Sequence, residues 1–185
     1  HLWGYASWRV DQRIDRATAE LNRSIGELAA VGTPAAKRYL GRVHDTFGQL
    51  LQFQGQLQDA RGELELALVT READDDEIGV AVTLGNLGRL CMDLGDYLAA
   101  AQHLGRDLEI IERRSPELPR LRAQLLSHLG TCALEREQFD VAAARFHASL
   151  DVAERDGNLA GVAFARVGLA KVALRAEIRG LERAG

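Results

Sequence analysis

Proline is nearly missing from this chain, with three in 185 residues, so long helices meet few breakers. Runs of alternating β-branched residues are missing too, while Ala, Leu, Arg and Glu are plentiful, so an all-α fold is expected. There are two cysteines, Cys91 and Cys132, both in apolar stretches and without a CxxC or Cys/His spacing suited to zinc. That excludes a disulfide framework and a zinc site, and it predicts buried thiols. No apolar run approaches the roughly 20 residues of a membrane span, and no signal-peptide pattern opens the chain. The expectation is a cytoplasmic protein without membrane contact.

Basic charge of one sign is also lacking. The net charge is −4 with a sequence pI near 5.8, and acidic and basic residues interleave, so there is no field to draw in a phosphate backbone. Nucleic acid is therefore not an expected partner. Arginine outnumbers lysine about ten to one, a bias that points to a GC-rich bacterial genome. Catalytic constellations are absent: no nucleophile, base and orienting acid recur together, and no glycine-rich phosphate loop follows a strand. His44, His103, His128 and His147 have no metal-ligand spacing. No enzyme activity, metal or cofactor is expected.

What the chain does contain is a hydrophobic content of 46%, enough for a core, and a repeat. The pairs Phe47-Gly48, Leu87-Gly88, Leu129-Gly130 and Val167-Gly168 recur at intervals of 40, 42 and 38 residues. Seven residues after each of the first three glycines comes a helix break: Gly55-Gln56-Leu57, Gly95-Asp96-Tyr97 and Glu137-Gln138-Phe139. Ala60, Ala100 and Ala142 follow in register, then Leu64, Leu104 and Phe146, and Leu68, Leu108 and Leu150. Small residues at Gly48, Gly88 and Gly130, faced by these alanines, allow two antiparallel helices to approach closely, with larger neighbours filling the rim; Gly168 marks the fourth copy.

Helix starts are marked at Thr33-Pro34, Ser115-Pro116 and Gly157-Asn158. The acidic run Asp74-Asp75-Asp76-Glu77 marks a fourth, where it suits a helix dipole; it lacks the alternating ligands and closing glutamate of a calcium loop. Arg113-Arg114 suit the negative end of a long helix. The segment before residue 34 reads as an incomplete repeat: residues 2–11 as the end of a first helix, then Ile14, Ala17, Leu21, Ser24 and Ile25 as a second. The chain opens on His1 rather than Met, so it is expected to be a piece of something longer. Trp3 and Trp8 are read as contacts for a missing neighbour or as an aromatic partner site.

Asn86-Leu87-Gly88, Gly95-Asp96-Tyr97, Ala100 and the aliphatics after them resemble the tetratricopeptide repeat (TPR), in the roughly 40-residue form known from kinesin light chains and bacterial regulators. Cys91 departs from the usual aromatic of that pattern, Asp107 from its late small residue, and no helix break follows Leu174. The reading divides the chain into a partial repeat 1–33, repeats 34–73, 74–115 and 116–157, and a degenerate repeat with C-terminal helix 158–185. The resemblance implies a right-handed α-solenoid whose first helices line a concave groove for a partner's peptide.

The resemblance also implies which groove positions to inspect: Thr46, Asn86, His128 and Arg166 before each marker glycine, and Gln49, Arg89, Thr131 and Leu169 after it. At the position of Asn86 the family commonly holds a peptide backbone, since an amide offers both donor and acceptor. Arg89, His128 and Arg166 would favour an acidic or phosphate-bearing partner. A carboxylate clamp of the kind that grips chaperone tails is not expected, because Asp45, Gln49, Gln124 and His128 replace all its residues except Asn86. The leading expectation is a protein- or peptide-binding scaffold. A second is a regulatory segment of a larger bacterial signalling or transcription-regulating protein, packing on its own effector domains. A third is homotypic assembly, as a dimer through terminal helices.

Overall fold

In the computed structural model the described residues are 2–115 and 117–184, the side chains of 2–11, 183 and 184 excepted. They form eight α-helices and no strand. The chain divides into two compact units, His1–Leu90 and Cys91–Gly185.

The first unit holds α1 (Leu2–Val31), α2 (Pro34–Phe53), α3 (Leu57–Glu72) and most of α4 (Glu77–Asp93). Helix α1 packs on α2, and α2 on α3. Thr33 caps α2 by accepting from the Ala36 N–H at 3.2 Å, with Pro34 in the first turn. Asp76 starts α4 by accepting from the Gly79 N–H at 3.0 Å. Between α2 and α3 the chain turns at Gly55, whose φ of 77° is in the left-handed region. A Cβ at Gly48 would stand 2.6 Å from Leu64 Cγ and 3.1 Å from the Ala60 carbonyl oxygen, so the missing side chain is where α3 seats its large residue.

The segment before residue 34 corrects the sequence reading. A first helix ending near residue 11 and a second beginning after it were expected, but α1 runs through unbroken. Nothing in Val10 to Leu21 stops a helix: the stretch has no proline, no glycine and several strong helix formers. The side chains of Trp3 and Trp8 lie outside the described residues.

The second unit holds α5 (Tyr97–Arg114), α6 (Pro119–Glu135), α7 (Phe139–Arg155) and α8 (Leu159–Ala184). Helix α6 packs on α5 and α7, and α8 packs on both α7 and α6. The core joins Ala133, Leu134, Ala142, Phe146 and Val172, with Phe139, Ala143 and Leu169 against them. Asn158 caps α8 by accepting from the Gly161 N–H at 3.1 Å. Both cysteines are free and buried, and burial pushes the Cys132 thiol up to about 11.

The helix start expected at Ser115-Pro116 is also corrected. Ser115 closes α5, its N–H donating to the Ile111 carbonyl at 2.9 Å, and α6 begins at Pro119 with Leu118 before it. A serine suits either helix boundary, and the proline three residues on from the pair supplies the first-turn φ. Pro116 lies outside the described residues.

Candidate peptide-binding surface

In the first unit the candidate positions lie on α2 and α4, over a buried polar network. Asp45, 3% exposed on α2, pairs with the Arg71 guanidinium of α3. Arg71 also donates through Nη1 to the Gly79 carbonyl at 2.6 Å, which ties the end of α3 to the start of α4. Thr83 donates to Asp45 Oδ2 at 3.1 Å, and Asn86 donates through Nδ2 to Asp45 Oδ1 at 3.3 Å. Burial pushes the Asp45 carboxyl above its ordinary pKa, and Arg71, Asn86 and Thr83 oppose that shift by favouring the carboxylate. Arg71 Nε is buried without a hydrogen-bond partner among the described residues.

This arrangement needs small neighbours. A Cβ on Gly41 would stand 3.0 Å from Arg71 Cγ, and one on Gly79 would collide with the Asp76 carboxylate and stand 2.6 Å from Arg71 Nη1. Two glycines of α2 and α4 thus make room for the arginine.

The network occupies Asn86. The residue is 7% exposed; its Nδ2 is spent on Asp45, and its Oδ1 accepts from Arg89 Nη2 at 2.7 Å. One donor hydrogen and one acceptor lone pair remain on the amide. Arg89 is exposed, and Gln49 is exposed on α2 with Nε2 3.4 Å from the Asp45 carbonyl of its own helix.

In the second unit the candidates lie on α6 and α8. His128 is half-buried, its ring edge-on to Phe164 with centroids 6.4 Å apart. Between the two helices lies a cavity of about 330 Å³ floored by Ala123, Ser127 and Phe164 and edged by Arg120, Gln124 and His128. Thr131 turns its hydroxyl to the Ser127 carbonyl at 3.1 Å, and Arg166 pairs with Glu154 at 2.9 Å in an exposed ion pair. Thus Asn86 and Arg89 touch one another in the first unit, whereas Thr131 and Arg166 are turned to partners in their own unit.

Sequence reasoning missed the buried network that joins Asp45, Arg71 and Thr83. The available signal was register: Arg71 stands where Ile111 and Ala153 stand in the next copies, and Asp45 where Gly85 and Ser127 stand. A charge in an apolar column needs a buried partner.

A TPR repeat-containing protein of Dictyostelium discoideum is 31% identical over 132 residues, 70% of this chain. The apo form of RapI superposes with a TM-score of 0.71 over 95% of this chain and 68% of that one, at 15% identity. The chain is a TPR-like helical repeat. The TPR-like segment spans only 8% of the length of its Dictyostelium relative. BtubC (BKLC) from P. vanneervenii is a further structural neighbour of the repeat, with a TM-score of 0.50 over 92% of this chain and 91% of that one at 17% identity. No protein-family model matches. Among the described residues of the TPR-like chain, no helix is long and apolar enough to cross a membrane, and no group of His, Cys, Asp and Glu could hold a metal ion.

Proposed function

We propose that the chain is a non-catalytic cytoplasmic module that binds a peptide segment of a protein partner along the faces of its first helices, the concave side of a TPR array. The observation that carries this reading is the cavity between α6 and α8, where the half-exposed Phe164 ring forms an apolar floor beside Gln124 and His128. An apolar recess edged by amide, imidazole and guanidinium groups fits one apolar side chain of a peptide and hydrogen bonds to its backbone. Gln49 and Arg89 supply polar contacts of the same kind in the first unit.

Ala160→Trp tests it. Ala160 is exposed and lines the cavity, so an indole there fills the recess without entering the core. Peptides selected on an array by the full chain should lose at least about tenfold in affinity, equivalent to about 1.4 kcal/mol. Unchanged affinity in a folded variant would overturn the assignment.

One observation favours the regulatory reading as a second choice: the similar segment in the Dictyostelium protein is a small part of a far longer chain. A repeat in that setting could serve its own neighbouring domains with the same surface.

A further inference from the structure

We infer that Arg89 is the carboxylate contact of this surface and that Asn86 is a positioning residue that aims it, so that the peptide segment recognised in the first unit is acidic. This rests on the peptide-binding reading above and specifies its partner.

The inference starts from how the charges divide. Asp45 is buried and met by Arg71, Thr83 and Asn86, so its charge is spent inside the unit. Asn86 then acts as a bridge: one end of its amide donates to Asp45, and the other accepts from Arg89. Arg89 is exposed and makes no ion pair among the described residues. A guanidinium has five donors in a planar fork, and the bond to Asn86 uses Nη2. The remaining donors are those a carboxylate takes in paired fashion.

Holding Arg89 at one nitrogen also matters for affinity. A free arginine loses rotamer freedom when it grips a ligand, whereas one already held by Asn86 has lost part of it beforehand. The surroundings suit an acidic segment with apolar neighbours. One turn before Thr46 and Asn86 stand Arg42, exposed, and Val82, 52% exposed, and Tyr39 on α2 is 58% exposed. Asp74 and Asp76 line one pocket with Tyr39 and Arg42, and Asp93 stands one turn after Arg89 on α4, so the cation of this face that the inference rests on is Arg89 alone. A family-like role for Asn86, gripping the peptide backbone directly, competes with this assignment, and the two differ in how mutations combine.

The test uses the full chain and an array of random short peptides made in pairs, one member carrying Glu where the other carries Gln. The wild type is expected to hold the Glu members about five- to tenfold more tightly at low salt, with the preference shrinking at high salt. Arg89→Ala should erase that preference, and it sits on the surface, where folding tolerates it. Asn86→Ala should weaken the preference in the wild type and add no further loss in the Arg89→Ala background, because a positioning residue acts only through the group it positions. Equal binding of both members, or an Asn86→Ala loss of the same size with and without Arg89, overturns the inference while leaving peptide binding intact. Binding of neither member by the wild type overturns both.

Discussion

The Phe146 ring occupies the place that a side chain on Gly168 would need, and the same ring lies 3.0 Å from where a Cβ on Gly130 would stand. One aromatic side chain of α7, 1% exposed, thus fits against two marker glycines, those of α6 and α8. Gly168→Ala is expected to cost about 1–3 kcal/mol in urea unfolding, because the ring has no free side to move toward. Gly62→Ala, in α3 with nothing near its Cβ direction, should instead stabilise by about 0.5–1 kcal/mol through helix propensity. If the two substitutions shift the midpoint alike, the glycine–ring fit has no energetic weight.

The Asp45–Arg71 pair predicts strong coupling. Asp45→Ala or Arg71→Ala alone leaves an unmet charge in a buried site and should cost about 3–5 kcal/mol. Asp45→Ser with Arg71→Ile, the residue types of later copies at these positions, should cost much less than the sum of the single Asp45→Ser and Arg71→Ile losses. A four-variant cycle by chemical denaturation measures the coupling, and additive losses would refute it.

Asp107 makes stability depend on pH. It is 3% exposed, and burial pushes its carboxyl up to about 7. The unfolded chain's value is about 3.9, so between the two the folded chain binds more protons and stability falls as pH rises from about 4 to about 7. Asp107→Ser, matching Ser149 of the next copy, should flatten that slope and raise stability at about pH 8 by about 1–3 kcal/mol. Thermal melts of both chains across this window decide it; parallel pH profiles would exclude Asp107 as the source.

Glu137 takes a φ of 58° at the turn where the earlier copies have Gly55 and Gly95. A non-glycine residue there costs about 1–2 kcal/mol, while its ion pair with Arg179 is exposed and worth less. Glu137→Gly is therefore expected to raise stability by about 0.5–1 kcal/mol, read from the denaturant midpoint. A lower midpoint would mean that the pair with Arg179 outweighs the backbone strain.

These cases show which features a sequence displays. Turns at Gly55, Gly95 and Gln138 were legible because a helix break leaves its mark in the residues that make it. The unbroken α1 is not, since the faint repeat pattern suggests a break near residue 11, where Val10 to Leu21 carry neither proline nor glycine to make one. Ser115 was ambiguous because one hydroxyl residue suits both ends of a helix. The network beneath Asn86 was hidden for another reason. Asp45, Arg71 and Thr83 come from three helices, each looks like an ordinary helical polar residue by itself, and only folding brings them to bonding distance. Asn86 stands out for its amide, yet one of the two groups that amide touches is Asp45, 41 positions away.

The glycines flanking Arg71 carry an evolutionary consequence. With Gly41 and Gly79 moulded around its stem and guanidinium, a change to either charge opens a void or strands its counterpart, and a change to either glycine displaces the arginine. Drift at these sites must therefore pass through chains that have lost a large part of a margin of only about 5–15 kcal/mol. Descendants of this array would be expected to keep the whole set or to have replaced it together.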